Sequence, residues 1–376
     1  MGPRHPFACA IGIAALWWGV VASGQAPAER PQLADQVFKN VQLLRGIPVK
    51  EFMGTMGMFS ASTGLNCIEC HVEEAGGDWA RYADDTELKR TTRRMIGMVN
   101  SLNKSMFGGR RAVSCYTCHR GTNRPQVIPN LAVQYGDPII IEADEILAQA
   151  PGEPTPDQIF DKYIQAVGGA QRLAGVTSFV ANGTYQGFDD FEKYPVEVYA
   201  RAPGQRVTIL HGAFGDSTWT FDGRNGWVAA PQVTTPVPVL PLTGGDLEGA
   251  RVEAELAFPA RLPQMLIEWR VGLPAIIDDR EFRVVQGKRA PGGLPIKLYF
   301  DPMTGLLVRV VYYNETPVGR IPTQIDYADY RDVSGIKMPF KWTTTWTDGR
   351  SVIEISSVQT NVPVDARRFA KPAPPA

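Results

Sequence analysis

The chain has 376 residues, 44% hydrophobic and 20% charged, which is enough for two or three domains with cores of their own. A formal net charge of −1 gives no basis for recognition through bulk charge, so nucleic acid is excluded as an expected partner. Of five cysteines, four lie inside two short motifs, which leaves none to staple a disulfide scaffold.

In chain order, Arg4 and His5 precede the apolar run FACAIGIAALWWGVVA, and Ala22, Ser23 and Gly24 follow it. That order predicts a signal peptide over residues 1–24 and export to the periplasm; if uncleaved, the same run becomes an N-terminal membrane anchor. Leu33, Val37, Val41 and Leu44 then recur at helical spacing up to Gly46 and Pro48. The stretch VKEFMGTMGMFSAS predicts a second helix, and a glycine-rich loop follows the first cysteine motif. ELKRTTRRMIGMVNSLNKSMF places Leu88, Met95, Val99, Leu102 and Met106 on one amphipathic face, with Asp84, Asp85 and Thr86 as the capping cluster. Gly108 and Gly109 end it just before the second motif.

Residues 31–123 are therefore expected to form an all-α domain, and the Pro-rich residues 124–155 a linker. A short helix, PDQIFDKYIQAVGG, opens the last domain, residues 156–370. From about residue 176 the hydrophobic period changes to two, in roughly ten β-branched and aromatic runs separated by turn residues. This predicts an antiparallel β-rich domain, a curved sheet or half-barrel, with helices from residues 244–270 covering one face. The expected fold is thus multidomain: an all-α domain followed by a β-rich one.

The chemistry sits in LNCIECHVEE and SCYTCHRG, two copies of C-x-x-C-H at Cys67, Cys70, His71 and at Cys115, Cys118, His119. This spacing is the attachment signature of c-type haem. Two thiols separated by two residues reach the two vinyl groups of one porphyrin, and the next residue brings an imidazole under the iron. A thioredoxin-like C-x-x-C needs a βαβ setting that neither copy has. A zinc tetrathiolate leaves both histidines unexplained. The expected cofactors are two covalent c haems.

Of the four histidines in the whole chain, His5 lies in the expected signal peptide and His211 in the β-rich part. That leaves too few for two bis-histidine haems, so methionine is the expected second axial ligand. Met53, Met56, Met58, Met95, Met98 and Met106 precede the motifs in two groups, and periodicity favours Met95 in the second. Gly54, Gly57 and Gly97 interleave with them, where a porphyrin can approach the backbone. Charge is lopsided: residues 88–124 hold nine Lys and Arg and no acid, whereas residues 69–87 are mostly acidic. Such arginines suit haem propionates or the docking of an acidic partner.

The runs EFMGTMGMFSASTGLNCIECH, RMIGMVNSLN and CYTCHRG resemble the cytochrome c subunit of bacterial photosynthetic reaction centres, over about residues 35–125. The resemblance implies Met56 as the ligand of the first haem and Met98 of the second. It also implies electron exchange with redox proteins or a membrane electron-transfer complex, and no enzyme activity. That subunit has four haems, and this chain has motifs for two. Pieces such as TFDGRNGWVA and KLYFDPMTGLLVR resemble the lipoprotein-carrier half-barrel, which implies docking or an apolar ligand for the β-rich part. The alternative expectation is a haem-containing sensor or lipid-like ligand-binding module; a haem peroxidase is a third.

Overall fold

Pro48 pre-sets the backbone for helix α2 (Val49–Thr63), which follows a single short turn, α1 (Ala34–Val37). Gly64 ends α2 in the left-handed region at φ 71°, its N–H donating to the Ser60 carbonyl. The computed structural model describes residues 30–76, 78–131, 136, 144–188 and 190–375. The expected signal peptide or anchor, residues 1–24, and residues 132–135 and 137–143 of the expected linker lie outside these residues. Among those described, no helix is long and apolar enough to cross a membrane.

Both cysteine motifs fold as isolated helical turns, α3 (Cys67–Cys70) and α5 (Cys115–His119). Asn66 caps α3 by accepting from the Glu69 N–H at 3.2 Å, and the Glu69 carboxylate accepts from the Asn66 N–H at 2.7 Å. Between them runs α4 (Glu87–Met106), capped by Thr86, whose hydroxyl accepts from the Lys89 N–H.

The buried face of α4 differs from the periodic expectation. Ile96, Val99 and Asn103 are buried, while Met95, Leu102 and Met106 are exposed. Ile96 packs with Met58 of α2 and with Val318 from the distant sheet, which pulls the helix round. Asn103 is claimed by the next loop: its amide donates to the Val113 carbonyl at 2.8 Å and accepts from the Ala112 and Val113 N–H groups.

The C-terminal part is a large, unclosed antiparallel sheet with helices. After α6 (Pro156–Ala166) and α7 (Ala170–Ala174) come six strands: β1 (Ser178–Gly187), β2 (Tyr194–Arg201), β3 (Gln205–Gly212), β4 (Gly215–Phe221), β5 (Gly226–Ala229) and β6 (Val239–Pro241). The stretch expected to be helical holds α8 (Gly244–Leu256), α9 (Leu262–Met265) and then β7 (Ile267–Val271). Seven more strands follow: β8 (Ala275–Ile277), β9 (Arg280–Lys288), β10 (Pro295–Phe300), β11 (Leu307–Thr316), β12 (Gly319–Val333), β13 (Ile336–Trp346) and β14 (Gly349–Thr360). Sheet order is β6-β5-β4-β3-β2-β1-β14-β13-β12-β11-β10-β9-β7, with β8 pairing β9. Nearly every contact is a hairpin between sequence neighbours; the pairing of β1 with β14 joins the two runs.

Helices α6, α8 and α9 fill the core against this sheet. Phe160, Tyr163, Val252 and Leu262 pack with Leu298, Phe300, Leu307 and Val310. Phe160 is 1% exposed, with its ring edge-on to Trp269 at 4.8 Å. Phe160→Ala is expected to cost about 3–5 kcal/mol, read as a lower urea midpoint at unchanged slope. A loss below about 1 kcal/mol would show that α6 is peripheral to the core.

The helices around the two cysteine motifs lie at one end of the sheet. A Cβ on Gly54 would come 3.0 Å from Ile321 Cδ1 of β12, and one on Gly57 only 2.7 Å from Thr347 Oγ1 in the β13–β14 turn. These glycines therefore admit the sheet, whereas the expectation from sequence was a porphyrin. Around Gly97 of α4 nothing lies within 4 Å of such a Cβ. Trp79, between the motifs, donates its indole N–H to the Gln232 carbonyl of the β5–β6 loop at 2.8 Å.

Candidate haem-attachment site

One turn of α3 puts Cys67 and Cys70 on the same side of the helix, three residues apart. His71 leaves the helix in extended conformation, its N–H still bonded to the Cys67 carbonyl at 2.9 Å. Its Nδ1 lies 3.1 Å from the Tyr82 carbonyl. A carbonyl only accepts, so Nδ1 carries the proton and Nε2 keeps its lone pair for a metal. Burial, with Lys89 nearby, pushes this imidazole below its ordinary pKa and keeps it neutral.

The loop that supplies the carbonyl is itself held. Tyr82 stacks on Trp79 with centroids 5.2 Å apart and meets the His71 ring edge-on. Lys89 donates to the Tyr82 and Asp84 carbonyls at 2.8 and 2.6 Å, and the Thr86 hydroxyl donates to the Cys70 carbonyl.

The second motif repeats the device. His119 Nδ1 lies 3.0 Å from the Thr122 carbonyl, and the Thr122 hydroxyl donates to the His119 carbonyl at 2.7 Å. Beyond it the Gly121 N–H donates to the Ser62 carbonyl of α2 at 2.9 Å. Helix α2, whose methionines precede the first motif in sequence, thus packs its C-terminal end on the second.

All four motif cysteines are free of disulfides; Cys67 and Cys118 are exposed, Cys70 and Cys115 half-buried. Burial pushes the thiols of Cys67, Cys70 and Cys115 up, so they stand protonated at neutral pH. Among the described residues no three His, Cys, Asp or Glu side chains converge on one point, so the zinc cage has no donor set. Paired thiols, a neighbouring imidazole and a free Nε2 do fit a c-type haem at each motif. The two histidine-orienting carbonyls, Tyr82 and Thr122, carry no side-chain signal by which sequence reasoning finds them.

The methionines part company. Met58 is 5% exposed, in the cluster with Ile96 and Val318 against which Cys115 packs. Met56, two residues back, lies about 160° round the helix and is half-buried, as is Met53. On α4, Met98 is 47% and Met95 38% exposed, beside the open backbone at Gly97.

Residues 19–137 match the family described as the photosynthetic reaction centre cytochrome C subunit. The chain is 37% identical over 97 residues to that subunit from Thermochromatium tepidum, covering 25% of this chain and 23% of the relative. It is 33% identical over 110 residues to the subunit from Roseobacter denitrificans, covering 27% and 29%. The chain spans about a quarter of the length of these curated relatives. Among solved structures, a LolA superfamily protein from Nitrosomonas europaea aligns at TM-score 0.40 and 15% identity over 58% of this chain and 99% of its own. A putative outer membrane lipoprotein-sorting protein domain from Vibrio parahaemolyticus aligns at 0.37 and 10% over 56% and 97%. Likeness at that level transfers no function.

Within the region similar to reaction-centre cytochromes, the lopsided charge is largely spent internally. Arg93 meets Asp85 at 2.7 Å and Arg90 meets Glu87 at 3.0 Å, with Lys89 and Arg94 completing the two pairs. The hydrogen bond from Arg93 holds the Asp85 carboxyl below its usual range. Arg111 pairs with Glu315 of the sheet. Among the described residues Lys104, Arg110, Arg120 and Arg124 make no ion pair.

Proposed function

We propose that the chain is an exported electron carrier with two covalent c-type haems. One is attached through Cys67 and Cys70 with His71 as axial ligand, the other through Cys115 and Cys118 with His119. Met56 and Met98 complete the coordination. The observation that carries this reading is the pair of Nδ1–H···O=C contacts, to Tyr82 and to Thr122, which leave Nε2 free at both motifs. Bound haem supplies one-electron transfer at iron. The protein's part is to orient each imidazole through its carbonyl, to hold the thiols as a pair, and to keep the methionine sulfur available. Met98 stands on an open helix face, and Met56 lies away from the cluster that holds Met58.

In this reading residues 1–24 direct export to the periplasm, residues 31–123 carry the haems, 124–155 link, and 156–370 form the β-rich domain. The partners are redox proteins or a membrane electron-transfer complex, and no bond of a substrate is made or broken. The second reading, an apolar ligand or sensing role for the β-rich domain, draws on a cavity lined by Val176, Phe179, Leu256, Phe258, Met338 and Trp342. Its 70 Å³ falls short of the roughly 300–1,000 Å³ of typical ligand sites, which favours docking and bracing over carriage.

The test is a pyridine haemochrome assay on protein matured with haem-attachment machinery, paired with a reductive titration. Two covalent haems per chain, each titrating at a positive potential, is the expected result. Zinc in place of haem would overturn the reading.

A further inference from the structure

We propose that the tip of the β11–β12 hairpin is a positioning element for the second attachment helix, with Val318 as its central residue. The inference rests on the two-haem reading and assigns one haem site to the care of the β-rich domain.

Val318 is a turn residue, and turn residues normally face water. This one is 3% exposed. It completes a small core with Met58 of α2 and Ile96 of α4, and Cys115 at the start of α5 packs against that cluster. Three separate helices of the cytochrome-like region thus meet in one cluster with a side chain from the hairpin tip.

The neighbouring backbone is fitted as closely. At Gly319, φ is 155°, and a Cβ there would lie 2.9 Å from Met58 Cε and 3.1 Å from Cβ of Ser114, the residue before Cys115. Arg111, in the loop that leads into α5, donates to the Thr316 carbonyl at 2.6 Å and to the Glu315 carboxylate at 3.2 Å. The tip is stiff in its own right: the Thr316 hydroxyl donates to the Gly319 carbonyl at 2.6 Å and accepts from the Val318 N–H. The hairpin therefore grips the entry to the second motif by packing, by backbone contact and by a charge-assisted hydrogen bond. The first motif is held differently, by its own downstream loop through Tyr82, Thr86 and Lys89. That loop meets the sheet at Trp79, away from the β11–β12 hairpin, through its hydrogen bond to the Gln232 carbonyl.

A support that touches one site loosens that site first when it is trimmed. The full-length chain is used in two forms, carrying Val318→Ala, Val318→Ile or Arg111→Ala. In protein made without haem maturation, the rate of iodoacetamide labelling of Cys115 is compared with that of Cys67. Val318→Ala is expected to raise the Cys115 rate several-fold with Cys67 unchanged; Val318→Ile restores the original ratio. In matured protein, Val318→Ala and Arg111→Ala shift the same one of the two reduction waves. An unchanged Cys115 to Cys67 ratio in Val318→Ala would overturn the proposal, and so would an equal rise at both cysteines, which marks general loosening. Should the wild-type chain fail to take up two haems, the electron-carrier reading falls while the labelling ratio still decides the role of Val318.

Discussion

Replacing Cys67 and Cys70 together by serine is expected to leave one covalent haem per chain, and replacing all four motif cysteines to leave none. Serine cannot form the thioether, so the loss follows from bond chemistry and not from stability. The two motifs sit on separate helical turns, α3 and α5, each with its own capping and its own carbonyl for the histidine. Loss of one pair of thiols thus removes one site and spares the other. Mass spectrometry of the intact chain with a haemochrome count per chain gives the number directly. Two haems retained in the Cys67/Cys70 double variant would remove these residues as an attachment point. No haem at all would show that the second site depends on the first having been filled, contrary to their separate support.

Met56→Ala and Met58→Ala are expected to fail in opposite ways. Met58 fills a buried cluster with Ile96 and Val318, so its truncation is expected to cost about 2–5 kcal/mol, with axial coordination intact. Met56 lies elsewhere on the helix and is only half-buried, so its truncation is expected to disturb stability little. It is expected instead to abolish one methionine–iron absorption band in the oxidised spectrum and to lower one reduction potential, because thioether ligation raises the potential. Chemical denaturation and a redox titration of both variants separate the cases. If Met58→Ala loses the band and Met56→Ala the stability, the sulfur ligand belongs to Met58, and the packing around Val318 would have to open to admit it.

Local chemistry was legible from residue order, because a C-x-x-C-H unit needs only one helical turn to bring its groups together. Helix existence was equally legible: Thr86 and the periodic run behind it are sufficient to start and sustain α4. The β-rich part was visible as alternation and turn residues. Its short strands β6 and β8, three residues each, were not, since so few residues hold no period to detect.

By itself, then, the sequence determined the two C-x-x-C-H motifs, the helical and β-rich parts, and the small number of histidines. Only the tertiary structure decided which face of α4 is buried and why Gly54 and Gly57 are small. Only it showed which carbonyls orient His71 and His119, and that Val318 reaches Met58. The physical reason is range: capping, spacing and period are set by neighbours along the chain. The buried face of a helix is set by whatever packs on it, here a hairpin tip from the far end of the sequence.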